Sequence, residues 1–89
     1  VRAAAVQIAP DLERPEGTLE RVLAAIDEAA GRGAGIVVFP ETFVPYYPYF
    51  SFVLPPVLQG APHLRLMEHA VVVPGPVTQA VGERARARG

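Results

Sequence analysis

The sequence predicts an α/β fold, built from parallel strands joined by a crossover helix, and predicts that this fold is incomplete. Three observations carry that reading. Two short apolar segments, Arg2 to Ile8 and Ile36 to Phe39, flank one long amphipathic stretch. Their order, strand then helix then strand, is that of a βαβ unit. The chain then ends at Gly89, where a third strand is expected. Two strands leave two open edges, and one helix layer leaves a sheet face bare. Residues 1–89 are therefore expected to be the N-terminal fragment of a single larger domain, with poor stability on their own.

Each element follows from local chemistry. In the first strand Ala4, Val6 and Ile8 point to one face and Ala3, Ala5 and Gln7 to the other. Both faces are small or apolar, as in a sheet covered on both sides. Pro10 ends the strand. Pro15 suits the first turn of a helix, where its missing N–H costs nothing, and Glu16 and Glu20 favour the positive helix end. Leu19, Val22, Leu23, Ile26 and Ala30 then recur at helical spacing. Gly31 and Gly33 supply the stop. Ile36 to Phe39 forms the second strand. Five prolines between Pro45 and Pro62 predict mostly irregular loop. His63 to Ala70 predicts a short helix with Leu64 and Met67 inward, and Val71 to Val73 a short extended piece. Pro76 starts a last helix to about Arg88, whose apolar side is Val77, Ala80, Val81 and Ala85.

All four Phe and all three Tyr lie between Phe39 and Phe52, and one acid, Glu41, sits among them. A carboxylate is thus delivered at the end of a strand into an aromatic, proline-stiffened loop. Ligands of open α/β sheets bind beyond the carboxyl ends of the strands. An apolar wall there is expected to raise the carboxyl pKa and make Glu41 a usable proton shuttle. Taken without context, such an acid is more often a solvated loop residue.

Composition narrows the remaining classes. A net charge of −1 gives no electrostatic case for nucleic acid or an anionic membrane. No apolar run approaches the roughly 18 residues of a membrane span. Val1 to Val6 lacks the build of a signal peptide, so a cytoplasmic location is expected, and the missing Met predicts a trimmed start. There is no Cys, hence no thiol nucleophile or thiolate metal site within these residues, and all eight basic residues are Arg. His63 and His69 are six apart, which suits no close metal pair, and they are expected to be surface or capping residues. Arg84, Arg86 and Arg88 read as a solvated helix end, because no Gly-rich loop accompanies them. Ile8-Ala9-Pro10-Asp11 offers no phosphate nest, which excludes a nucleotide-binding module.

Val6-Gln7, Gly33-Ala34 and Val37-Val38-Phe39-Pro40-Glu41-Thr42-Phe43 together resemble the opening of the carbon–nitrogen hydrolase superfamily. Val44-Pro45-Tyr46-Tyr47-Pro48-Tyr49-Phe50 and Glu68-His69-Ala70-Val71-Val72-Val73-Pro74-Gly75-Pro76 resemble its nitrilase branch. The similarity covers essentially the whole chain, and about the first quarter to third of a family domain. The resemblance implies a four-layer α-β-β-α sandwich and a Glu–Lys–Cys triad. Cys attacks the nitrile carbon, Glu is the general base, and Lys stabilises charge on the reacting nitrogen. A nitrile becomes a carboxylic acid and ammonia, with no metal or organic cofactor. The triad Glu falls on Glu41; Lys and Cys fall on nothing in this chain, so the isolated residues are expected to be inactive. Tyr47 and Phe50 are candidates for the substrate wall, while Tyr46, Tyr49 and Phe52 are expected to pack or to form an interface. A small-molecule nitrile substrate and a homo-oligomeric full-length protein are implied as well, with Leu54 to Val73 as one possible association surface. Two positions depart from the pattern of many nitrilases: Tyr46 stands where Gly is common, and Phe50 where Trp is. An amidase or carbamoyl hydrolase of the same superfamily is the neighbouring reading. A non-catalytic piece that docks through its open sheet edge is the reading from another class.

Overall fold

The computed structural model describes all residues, 1–89. Strand β1 (Ala3–Ala5) is followed by helix α1 (Pro15–Gly31) and strand β2 (Ile36–Val38). A short helix α2 (Phe50–Val53), a 3-10 turn at Pro56–Leu58, helix α3 (Gly60–Glu68) and helix α4 (Pro76–Arg88) complete the order. The strands are parallel, with Ala3 opposite Ile36, Ala4 opposite Val37 and Ala5 opposite Val38. Gly35 N–H donates to the Arg2 carbonyl at 2.8 Å and Val6 N–H to the Val38 carbonyl at 2.9 Å, extending the ladder by one bond at each end. The predicted βαβ unit is present, but its strands are shorter than the apolar segments that announce them. Pro40 and the turn beyond it leave β2 nothing further to offer, and β1 has no other partner.

The core lies on one side of this small sheet. Val22 and Ile26 of α1 pack with Phe43, and Phe39, Val44 and Val81 of α4 close around them. α1 is the central element: it carries Gly17, Thr18, Val22, Ile26 and Ala29 as buried positions. Their spacing is the helical stripe that the sequence predicts, shifted by one position from Leu19, Leu23 and Ala30, which are half-buried. α4 crosses α1 and is fastened by Arg84 and Arg88, whose guanidinium groups both pair with Asp27. The Arg triplet is thus not simply a solvated end; two of its members bind α1, and Arg86 is exposed.

The other sheet face, with Ala3, Ala5, Ile36 and Val38, is open. Ile36 is 51% and Val38 57% exposed, so the expectation of a sheet covered on both faces is not met within these residues. Only eight of 89 residues are buried. The radius of gyration is 14.7 Å, against about 12 Å for a compact domain of this length. The tract after Pro45 is more ordered than its prolines predict, since it holds α2, the 3-10 turn and α3. Val71 to Val73 is not a strand. α3 also faces the opposite way from expectation. Leu64 and Met67 are 62% and 72% exposed, and Pro62, Leu66 and His69 turn inward instead. No helix is long and apolar enough to cross a membrane.

Candidate active site

β2 ends at Val38, and Phe39 packs into the core with its ring 5.9 Å from that of Phe43. Between these two rings the chain makes a turn through Glu41 and Thr42. Thr42 adopts φ 48°, the left-handed conformation that a β-branched residue rarely takes. The turn is held from both sides, by Phe39 before it and by the buried Phe43 after it. Glu41 stands at its tip. It is exposed, and its carboxylate takes part in none of the side-chain hydrogen bonds or ion pairs of the chain. The aromatic residues around it in sequence do not enclose it in space.

They gather around something else. Tyr47 lies 5.5 Å from Tyr49 and stacks on Phe52 at 5.9 Å, while Phe50 meets His63 edge-on at 4.7 Å. Tyr46, Tyr47, Tyr49 and Phe50 line an open hollow of about 400 Å³, with Leu12 and Arg65 also on its wall. Glu41 is not among its lining residues. A second hollow, also about 400 Å³, opens on the Thr42 side and is walled by Val44, Pro45, Tyr46, Leu66 and Val71. Tyr46, which is buried, lines both. Of the sequence-predicted site residues, Tyr47 and Phe50 therefore share one cavity, and Glu41 stands apart at the turn before it. No group of His, Asp or Glu side chains is placed to hold a metal ion.

Two residues that bear on this site escape sequence reasoning. Arg65 of α3 donates from Nη2 to the carbonyls of Leu12 and Glu13 at 3.1 and 3.2 Å. It thereby ties α3 to the loop between β1 and α1 beside the aromatic hollow. Its signal was available: it is the only Lys or Arg between Arg32 and Arg84. Thr18 gives no such signal. Its hydroxyl is fully buried in the first turns of α1 and accepts the Asp11 N–H at 2.9 Å. The same oxygen lies 3.2 Å from the carbonyls of Asp11 and of Pro45.

Asp11 shapes the loop that Thr18 reads. Its Oδ1 accepts the backbone N–H groups of Glu13 and Arg14, both at 3.0 Å. Those bonds, the Arg14 one first, hold its carboxyl below the usual value of 3.8. Glu16, at the start of α1, is lowered as well, first by its own backbone N–H and then by Arg14 at 3.3 Å.

The comparisons with known proteins concern the chain as a whole. The family described as Carbon-nitrogen hydrolase matches residues 2–89. A protein named Nitrilase from Paraburkholderia phymatum is 77% identical over 86 residues, covering 97% of this chain and 25% of that protein. Nitrilase 3 of an unknown prokaryotic organism is 52% identical over 91 residues, covering 100% and 28% respectively. A Nitrilase from Pseudomonas syringae pv. syringae is 28% identical over 89 residues, with coverage of 100% and 26%. The chain thus spans about a quarter of the length of these curated relatives.

Proposed function

This chain belongs to the carbon–nitrogen hydrolase family, on its nitrilase branch, and from that premise we propose that it forms the part of a nitrilase that supplies the general base. Glu41 takes the proton from a Cys thiol as the thiol attacks the nitrile carbon and passes it to the nitrile nitrogen. It then moves a proton from a first water to that nitrogen, which leaves as ammonia, and one from a second water to the departing Cys sulfur as the acid is released. A Lys stabilises the charge that develops on nitrogen. Two waters and one nitrile give one carboxylic acid and one ammonia, so Glu41 ends as it began. Lys and Cys are both absent from these residues and are supplied by the rest of the full-length protein. Tyr47 and Phe50 form part of the wall against which the organic part of the nitrile packs.

The observation that best supports this reading is the setting of Glu41. It stands just past the carboxyl end of a strand, unpaired, on a turn fixed by Phe39 and Phe43. A base needs an oxygen free to accept a thiol or water proton, and its backbone must be held in place. The test is Glu41→Gln in the full-length protein. Nitrile hydrolysis is expected to fall by about 10²- to 10⁴-fold in kcat, as for loss of a positioned base. The 89-residue chain alone is expected to hydrolyse no nitrile. A Glu41→Gln enzyme with unchanged kcat would leave the family standing and remove Glu41 from the chemistry.

A further inference from the structure

We propose that Thr18 is a positioning residue for the Glu41 turn and the aromatic wall beyond it; this inference rests on the reading of Glu41 given above. Thr18 is the one fully buried polar side chain of the molecule. Its hydroxyl joins two segments that are far apart in sequence: Asp11, seven residues before it, and Pro45, twenty-seven after it. Pro45 in turn lies between Phe43, which closes the Glu41 turn, and Tyr46, which opens the aromatic wall.

The hydrogen-bond inventory sets what this hydroxyl must do. It accepts the Asp11 N–H and has a single proton to give. Two carbonyls stand at 3.2 Å, those of Asp11 and Pro45, and neither accepts any other backbone hydrogen bond outside the regular elements. Asp11 is half-buried, so its carbonyl has solvent as an alternative. Pro45 is buried, so its carbonyl has only the hydroxyl. The proton is therefore needed at Pro45.

That bond closes a bracket. On the near side of Glu41, the Val38 carbonyl is held by Val6 N–H and Phe39 packs on the core. On the far side, Phe43 is buried and Pro45 is bonded to Thr18. Apolar packing fixes where the Phe43 ring sits but says less about the direction of the backbone that leaves it, because dispersion has little directional preference. A hydrogen bond to the Pro45 carbonyl fixes the direction of the backbone there. Thr18 itself is rigidly placed, because α1 is the best-packed element and because Gly17 lets the Asp11 carboxylate lie directly against the helix. A Cβ at residue 17 would collide with Asp11 Oδ2. Thr18 is already fully buried, so further chain packed onto this surface has no water at the hydroxyl to displace.

The test uses Thr18→Val, which keeps the shape and removes the hydroxyl, and Thr18→Ser, which keeps the hydroxyl. In the full-length enzyme Thr18→Val is expected to lose about 10- to 100-fold in kcat at a smaller change in KM, as for a base displaced by a fraction of an ångström to 1 Å. Thr18→Ser is expected to recover most of that loss. A folded Thr18→Val enzyme with the parent kcat, or a Thr18→Ser enzyme as impaired as Thr18→Val, overturns the proposal. Amide exchange on the unsubstituted protein decides the matter if Thr18→Val fails to fold. Asp11 N–H is then expected to exchange as slowly as the amides of Val22 and Ile26, and exchange at the unprotected rate overturns the proposal. Glu41→Gln separates the two ideas, since an active Glu41→Gln enzyme removes the reading of Glu41 and leaves Asp11 protection unchanged.

Discussion

The unit formed by β1, α1, β2 and α4 and the tract from Pro40 to Gly75 are held together by different means. Five of the eight buried residues lie on α1, and four of them, Thr18, Val22, Ile26 and Ala29, share one face of the helix. The remaining three, Phe43, Pro45 and Tyr46, are nearly consecutive and sit in the loop. Neither α2 nor α3 contributes any. The first region is stabilised by a repeating pattern, in which many weak contacts share the load. The second hangs on a few contacts of high consequence: Phe43 in the core, Pro45 on Thr18, and Arg65 on the loop at Leu12 and Glu13. A surface loop gains from such a scheme, because its exposed tip can differ in shape and chemistry without disturbing the scaffold.

The sharpest way to break this comparison is at Phe43. It is the one loop residue inside the core cluster, 6% exposed. Phe43→Ala is expected to cost about 3–5 kcal/mol, through lost burial and the cavity left behind. The near-UV circular dichroism of the tyrosines is expected to collapse with it, as the Tyr46–Tyr49 segment loses its anchor. Phe52→Ala, at a residue 74% exposed, is expected to stay within about 0.5 kcal/mol. Similar losses for the two would mean that Phe43 is not one of the loop's anchors. A smaller effect of opposite sign compares two helix glycines. In Gly82 of α4 a Cβ meets nothing within 4 Å, so Gly82→Ala is expected to add about 1 kcal/mol from helix propensity. Gly17→Ala carries the same gain, but its Cβ falls on a carboxylate pinned by two N–H groups. A clash of that kind costs about 1–3 kcal/mol, and a net loss of about 1 kcal/mol is expected by urea denaturation.

The same contrast explains what the sequence makes legible. α1 and α4 are readable to within a residue or two because Pro15 and Pro76 mark their starts and apolar spacing marks their faces. The position of Glu41 just past the end of a strand is readable because strand, Pro and acid are adjacent in the chain. The lengths of the strands are not, because a strand is as long as its partner allows, and the partner is set by a turn 35 residues away. The face of α3 is not readable either. Leu64, Leu66 and Met67 lie on more than one side of that helix, and nothing local says which side meets Tyr46. Thr18 and Arg65 act on carbonyls 27 and about 50 residues distant. A hydrogen bond to a main-chain oxygen leaves no trace in the identity of the residue that owns it. The expected enclosure of Glu41 by aromatic rings fails for a related reason: proximity in sequence places residues on one loop, and the loop then turns its rings toward Arg65 and its acid toward solvent.

Acid titration sharpens the comparison in the scaffold region. The Asp11 carboxyl is held below its usual value of 3.8 by the N–H groups of Arg14 and Glu13. A depressed folded-state pKa means that the charged carboxylate favours the folded form. Its contribution is complete above the unfolded value and disappears as pH falls through the lower folded value. Asp11→Asn keeps an oxygen for both N–H groups but cannot titrate. It is therefore expected to flatten, though not abolish, the loss of stability below about pH 4, since Glu16 is lowered too and still titrates. An unchanged acid limb in Asp11→Asn would show that the turn at Glu13 and Arg14 does not persist in solution.

The smallest expected effect is the one that fixes α3. Leu64 is 62% exposed, whereas Leu66, two residues on, is half-buried beside Val44, Tyr46 and Val71. Leu64→Ser removes apolar surface that is already in water, so its effect is expected to stay within about 0.5 kcal/mol. Leu66→Ser removes surface that is partly covered and leaves a hydroxyl facing an apolar cavity, and about 1 kcal/mol is expected. The two residues have the same side chain and the same helix, so propensity cancels between them and only the direction of the face remains. Equal losses would mean that α3 rotates or frays and that Arg65 does not hold it against the Leu12 carbonyl. A larger loss at Leu64 would restore the inward face that the sequence suggests, and with it a different set of walls for the cavity beside Thr42.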